Sequence, residues 1–174
     1  MGRFDGWRFC PRCGASLATA RGRVDCGACG FVAWANASVS ASALIEDGDG
    51  RILLGRRARE PQPGLWDIPG GFLEEDEGPL VALVREVREE TGLRVVPGEF
   101  VGCWLDTYAQ PGAGQLSTLN LFWRVRFMDG GNPVAADDVA ELAWFARGAL
   151  PPRAELAFDC VAQALDAWKA LSPG

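Results

Sequence analysis

Glu86, Glu89 and Glu90 stand at i, i+3 and i+4 within Pro79–Thr91, a stretch that opens on proline and is followed by Gly92. Proline in the first turn and glycine just past the last are signals of helix termini, so the spacing predicts a helix over 79–91. At 100° per residue the three glutamates share an arc of about 100°, while Leu80, Leu83, Val84 and Val87 fill the adjoining one. One face can anchor the helix on a sheet while its neighbour presents three carboxylates. Like charges at these spacings cost an isolated helix about 0.2–0.5 kcal/mol per pair. The pattern is therefore either a solvated charged face or a site where a cation offsets the repulsion. Three carboxylates with a backbone carbonyl from the Gly70-Gly71 turn would be hard oxygen donors, suited to Mg²⁺ or Mn²⁺. Arg85 and Arg88 are spaced to orient the carboxylates, and Glu77 to cap the helix or pair with its neighbours.

Composition narrows the chemistry further. The 174 residues contain 23 acids, 17 bases and no histidine, for a formal charge of −6. Without histidine, Ser-His-Asp and Cys-His catalysis and all histidine metal sites are excluded. A general base must then be a carboxylate, a lysine or a metal-bound hydroxide. Much of the negative charge is local: residues 74–90 hold seven acids against Arg85 and Arg88. A chain that is 48% hydrophobic with 7 Trp and 9 Phe can bury a core, and its length suits one domain of ordinary size with a small appendage. No apolar run reaches the roughly 18–20 residues that span a bilayer, and Met1-Gly-Arg-Phe-Asp5 lacks the apolar core of a signal peptide. A cytoplasmic chain without membrane partners is the expectation.

Four of six cysteines form two C-x-x-C pairs, Cys10/Cys13 and Cys26/Cys29. Two residues between thiolates let one turn aim both sulfurs at one ion, with Gly14 and Gly30 just past each pair, and four soft ligands in a closed shell favour structural Zn²⁺. Two disulfides and four unrelated thiols are the alternatives, the first disfavoured in a reducing compartment. Such a ribbon can also bind nucleic acid. However, Arg3, Arg8, Arg12, Arg21 and Arg23 against Asp5 and Asp25 are nearly neutralised by the charge of a zinc–thiolate centre, so nucleic acid is not the expected partner. Cys103 and Cys160 fall in apolar stretches and are expected in the core.

From about residue 35 the pattern is that of mixed strands and helices. Ala37–Glu46 and Arg51–Arg57, joined by Asp47-Gly-Asp-Gly50, read as a β-hairpin. Further strands are expected over 93–105, 116–127 and 141–145, loops at 110–115 and 130–133, and a closing amphipathic helix over 154–171. Trp34, Trp66, Trp104, Tyr108 and Phe122 offer aromatic faces for a flat ring, Trp104 and Tyr108 foremost because they enter a loop after a strand. Arg56, Arg57 and Arg59 follow a strand and are candidates to meet phosphate, with Arg57 the choice.

The run Gly71, Glu77, Arg85-Glu86-Val87-Arg88-Glu89-Glu90-Thr91-Gly92-Leu93 resembles the Nudix box, G-x5-E-x7-R-E-U-x-E-E-x-G-U with U aliphatic, at every specified position. The preceding Gly64-Leu-Trp-Asp-Ile-Pro-Gly-Gly71 is similar to the lead-in common in that family. The resemblance implies an α/β fold, a Nudix-type α/β/α sandwich with a mixed sheet over residues 35–174, preceded by a small four-cysteine zinc ribbon over 1–34. The ribbon resembles a subgroup containing NADH diphosphatases and FAD or ADP-ribose hydrolases. It also implies divalent-metal-dependent hydrolysis of a nucleoside diphosphate linked to another moiety, releasing a nucleoside monophosphate. Glu86, Glu89 and Glu90 would be the metal ligands or base and Gly71 or Gly70 a carbonyl ligand; Arg85 and Glu77 would hold the loop and helix in shape. A further acid is expected from Asp137, Asp138 and Glu141, with Asp138 and Glu141 preferred. NADH diphosphatases usually carry an S-Q-P-W-P-F-P-like run after the box. Here Trp104-Leu-Asp-Thr-Tyr-Ala-Gln-Pro-Gly-Ala113 stands instead, which leaves ADP-ribose and FAD ahead of NADH. The alternative is a non-catalytic sensor using the same pocket, although a sensor has no need to keep its metal carboxylates. A homodimer is among the assemblies open to such a chain.

Overall fold

The computed structural model describes residues 3–20, 22–110, 114–128 and 131–171. Parts of the two expected loops (111–113 and 130) lie outside the described residues, as does Arg21.

Residues near the N-terminus form a three-stranded antiparallel sheet, β1 (Ala18–Ala20), β2 (Arg23–Asp25) and β3 (Val32–Trp34). Two further sheets follow. One is mixed, in the order β7 (Gly70–Phe72), β4 (Ser38–Ile45), β9 (Gly114–Phe127), β8 (Val95–Gln110), with β4 and β9 parallel. The other runs β10 (Val139–Phe145), β5 (Ile52–Arg57), β6 (Trp66–Asp67), all antiparallel.

Strand alternation divides the core in two. Ala41, Ala43, Ile45 and Leu53 face helix α1 (Pro79–Thr91) and its Ala82, Leu83 and Val87. Leu44, Ile52 and Leu54 face helix α2 (Asp159–Ala170) and its Val161, Leu165 and Trp168. The period-two pattern of β4 and β5 thus supplies both faces of the sheet layer, and the result is an α/β/α arrangement. Helix α1 has the predicted bounds, with Pro79 at its start and Gly92 in the left-handed region, its N–H returning to Arg88 O at 3.0 Å.

Four expectations are corrected. β4 and β5 do not form a hairpin ladder: they share the bridge Glu46↔Ile52 and then part into different sheets, because each is apolar on both faces and needs a helix on either side. Leu80 is 46% exposed, its arc lying toward solvent beyond the edge of the packed face. Cys103 is exposed, because beyond the bulge before Gly102 the odd-numbered residues 103–109 of β8 are exposed while Trp104 packs toward α2, whereas Cys160 is buried. The closing helix also splits into a 3₁₀ turn, Arg153–Glu155, and α2.

Arg147 ties α2 to the sheet. Its Nη1 donates to the carbonyls of Trp168 (3.3 Å), Lys169 (3.2 Å) and Leu171 (2.7 Å), its Nη2 to Glu46 (3.2 Å), and its guanidinium lies 4.6 Å from the Trp168 ring. It satisfies carbonyls that the helix end leaves open. Arg147→Ala should lower unfolding free energy by about 2–3 kcal/mol, measured by urea denaturation. A change below about 0.5 kcal/mol, the size of an ordinary surface substitution, would remove this tie from the account.

Candidate active site

The Gly70-Gly71 turn is pressed between β4 and α1 by the register Ser40↔Phe72, Ala41↔Gly71, Ser42↔Gly70. Gly70 has φ 148°, and a Cβ there would fall 2.3 Å from Ala41 O; at Gly71 a Cβ would fall 2.4 Å from the Glu86 carboxyl carbon. Only glycine allows the turn to approach the carboxylates this closely.

Helix α1 presents its glutamates unequally. Glu90 is 7% exposed and accepts from Gly70 N at 2.8 Å. Arg85 is the hub of the others, donating to both Glu77 oxygens (2.9 and 2.8 Å), to Glu86 (2.7 Å), to Glu89 (3.1 Å) and to Phe72 O (3.2 Å). Arg85 therefore joins the loop carrying Phe72 and Glu77 to the helix, and Glu77 is its partner rather than a helix cap. The Arg85 hydrogen bonds pull the Glu77 carboxyl down to about 2, assisted by the Glu74 N–H. Glu86 goes the other way: burial raises its pKa against the pull of Arg85, and Glu89 and Asp138 add to the rise. Glu90 is raised well above the usual carboxylate range, by burial first, against the Gly70 N–H and with Asp138, Asp67 and Glu86 contributing.

These groups open on a cleft of about 380 Å³. It is lined by Gly70, Gly71, Arg85, Glu86, Glu90 and Asp138, by Arg57 and Asp67, by the aromatic rings of Phe72, Tyr108 and Phe158, and by Ser40, Thr118 and Asn120. Tyr108 stacks on Phe158 (5.7 Å, 29°) and meets Phe72 edge-on (5.3 Å, 81°). The Asn120 amide accepts from Ser40 (2.7 Å) and donates to Thr118 (3.1 Å) and Trp104 O (3.3 Å).

Of the residues singled out from the sequence, Gly70, Gly71, Arg85, Glu86, Glu90, Asp137, Asp138, Arg57, Tyr108 and Phe122 meet here. Glu89 stands at the rim, its side chain 47% exposed. Glu141 does not join them: the bulge after Val139 sets it opposite Arg56, with which it pairs at 3.3 Å. Trp104 does not line the cleft either. It shares the inward parity of β8 with Asp106 and Tyr108 but lies deeper, against Phe122 at 5.5 Å. Arg56 lies over Trp66 (4.6 Å), and Arg88 is exposed. The sequence reading missed Asp67, Phe72, Phe158 and Asp106, the last accepting from Cys160 N at 2.8 Å at the start of α2. Period-two counting along β8 from Tyr108 could have found Asp106. Nothing local marks Phe158, which the fold brings from the far end of the chain.

The chemistry of the donors suits a hard divalent cation: Glu86, Glu90 and Asp138 line one cleft with the Gly71 backbone, while Asp67 is engaged by Arg57.

A second centre lies in the ribbon. The sulfurs of Cys10, Cys13, Cys26 and Cys29 all lie within 4.8 Å of one another. Cys10–Cys29 at 3.7 Å and Cys13–Cys26 at 3.6 Å are too far apart for the disulfides of the alternative reading. The N–H groups of Cys29 and then Ala28 lower the Cys26 thiol to about 7, against the effect of burial. Cys13 is raised to about 12: the Ala15 N–H lowers it, but the Cys29 thiol, burial and the other two thiols outweigh that bond.

The NUDIX domain family matches residues 37–164. NAD-capped RNA hydrolase NudC of Pseudomonas aeruginosa PAO1 is 33% identical over 147 residues, 83% of this chain and 50% of that protein. An ADP-ribose pyrophosphatase of Methanocaldococcus jannaschii is 34% identical over 122 residues, 70% of this chain and 68% of that one. The chain thus spans about half the length of the NudC proteins it matches. Among solved structures, a NUDIX hydrolase from Nitrosomonas europaea superposes with TM-score 0.74 at 23% identity, covering 93% of this chain and 90% of its own. A MutT NUDIX hydrolase from Burkholderia pseudomallei gives 0.59 at 27%, covering 75% and 96%. With its motif on the expected loop and helix, and with most of its length matched, the chain belongs to the NUDIX domain family.

Proposed function

We propose that the protein hydrolyses the diphosphate of a nucleoside diphosphate linked to a second moiety, with ADP-ribose the first candidate and FAD and NADH behind it. The observation that carries this reading is the cleft itself, in which buried carboxylates on a glycine turn adjoin an arginine and an aromatic wall. Glu86, Glu90 and the Gly71 carbonyl would hold Mg²⁺ or Mn²⁺, with Glu89 and Asp138 flanking. A bound divalent cation there would neutralise diphosphate charge and favour ionisation of water. Arg57 binds phosphate oxygen, while Tyr108, Phe158 and Phe72 give a flat ring a wall to stack on. Glu86, facing the cleft, keeps one carboxylate oxygen for the attacking water and accepts its proton as the new P–O bond forms and the P–O bond to the leaving phosphate breaks. Products of ADP-ribose would be AMP and ribose 5-phosphate. Zn²⁺ is proposed for Cys10, Cys13, Cys26 and Cys29, in a ribbon over 1–34 apart from a catalytic unit over 35–174.

The relatives widen the panel that tests this, since an E. coli CTP pyrophosphohydrolase is also 50% identical over 60 residues. ADP-ribose, FAD, NADH, CTP and a 5′-NAD-capped RNA should each be assayed with Mg²⁺ and Mn²⁺ for release of nucleoside monophosphate. Turnover of ADP-ribose is expected. Inactivity on the whole panel would sink the hydrolase reading in favour of a sensor.

A further inference from the structure

Asp67 ends β6, outside the Gly71–Leu93 motif, and carries no step of the chemistry above. We propose that it is the positioning residue that holds Arg57 as the phosphate-binding arm of the cleft, an inference that rests on the hydrolase reading of that site. The pairing Gly55↔Asp67 puts Asp67 on the same side of the sheet as Arg57, two residues along β5. Arg57 Nη1 donates to Asp67 Oδ2 at 2.9 Å, Nε to Pro61 O at 2.7 Å, and Nη2 to the Tyr108 hydroxyl at 3.4 Å. The guanidinium lies 5.2 Å from the Phe158 ring and 5.9 Å from that of Tyr108. A guanidinium has five N–H donors; these bonds engage three, leaving up to two for phosphate oxygens.

Asp67 is itself fixed, because its Oδ1 accepts the Ile68 N–H at 2.8 Å. The chain of restraint runs from backbone to carboxylate to guanidinium, and a long side chain otherwise spread over many rotamers is presented in one. The neighbouring arginines have other partners. By strand alternation Arg56 lies on the opposite face, over Trp66 and 3.3 Å from Glu141, and Arg59, 70% exposed, lies 3.9 Å from Asp137. Of three arginines in four residues, the one beside Asp67 faces the cleft.

Asp67→Asn is the informative change. Its amide oxygen can keep the Ile68 N–H, but its NH₂ then meets Nη1 donor to donor and Arg57 loses its seat. The test is a double-mutant cycle of Asp67→Asn with Arg57→Ala. It is read as the Kd of inorganic pyrophosphate at saturating Mg²⁺, and as KM and kcat for ADP-ribose. Asp67→Asn should raise Kd and KM about tenfold, the scale of one charge-assisted contact, with kcat within about threefold. In the Arg57→Ala background the same change should move neither by more than about twofold, since a residue acting through Arg57 has nothing left to act on. An unchanged Kd in Asp67→Asn, or equal factors in both backgrounds, overturns the positioning role. So does an effect confined to the Mg²⁺ concentration for half-maximal activity, which would make Asp67 a cation ligand. Pyrophosphate binding that depends on Asp67 only when Arg57 is present, in a wild-type chain that turns over none of the panel, supports the positioning role and removes the hydrolase reading alone.

Discussion

Glu90→Gln is expected to lower kcat by about a thousandfold or more, equivalent to about 4 kcal/mol of transition-state stabilisation, while leaving the fold intact. The side chain is buried, sits against the Gly70 N–H and shares its surroundings with Asp67, Glu86 and Asp138. Glutamine keeps an acceptor for Gly70 N–H but removes the charge a divalent cation needs. The same substitution should change stability in the opposite sense. Glu90's pKa in the folded chain is well above the ordinary 4.5, chiefly through burial. A raised carboxyl pKa means that the folded state binds the proton more tightly than the unfolded state does. The stability it contributes is full below about 4.5 and is lost as pH rises through the folded value. Metal-free wild-type protein should therefore lose stability as pH rises above about 4.5, and Glu90→Gln should flatten that decline. Thermal unfolding in chelator across this range, beside kcat at saturating Mg²⁺, checks both halves. A variant within tenfold of wild-type turnover would take Glu90 out of the cation site.

What the sequence could disclose depended on how local each feature is. Helix α1 was legible to its ends because its signals, Pro79 and Gly92, lie in the chain itself, and the turn that meets it is specified by Gly70 and Gly71, where no Cβ fits. The partners of β4 and β5 were not legible. Their shared Asp47–Gly50 turn reads as a hairpin, and only tertiary burial on both faces separates them. Phase within a strand was the other weak point. Trp104 and Tyr108 share parity along β8, yet one packs on Phe122 and the other reaches the cleft, a difference set by depth along the strand. The later acids show the same limit. Asp138 and Glu141 are three residues apart, and the irregularity after Val139 that sets Glu141 opposite Arg56 leaves no composition signal. Asp67 and Phe158 enter the site through the pairing of β5 with β6 and the docking of α2, neither of which is a property of their neighbours in sequence.

Removing the metal from the four-cysteine cluster is expected to unfold residues 3–34 outright. Three strands of three residues each, with Val24 and Phe4 as the buried apolar side chains outside the cysteines among the described residues, cannot supply the stability of a domain. A structural zinc ion contributes about 10–16 kcal/mol near neutral pH in such modules, more than this core can replace. Purified protein should contain one zinc per chain. Cys10→Ser combined with Cys13→Ser should abolish that content and amide-exchange protection across β1–β3, leaving protection in β4, β9 and α1, whose packing is independent of the sulfurs. Acid should act like the mutations, because each ligand must be a thiolate. Cys26, lowered to about 7 by the Cys29 and Ala28 N–H groups, is primed to ionise near neutrality, whereas Cys13, raised to about 12 when metal-free, needs the ion itself to lose its proton. Zinc release should therefore be steep as pH falls below neutrality, followed by colorimetric chelation together with hydrogen exchange. Protein that carries no zinc, or a double variant that keeps β1–β3 protected, would show that the ribbon folds without the ion and would overturn the structural role given to the four cysteines.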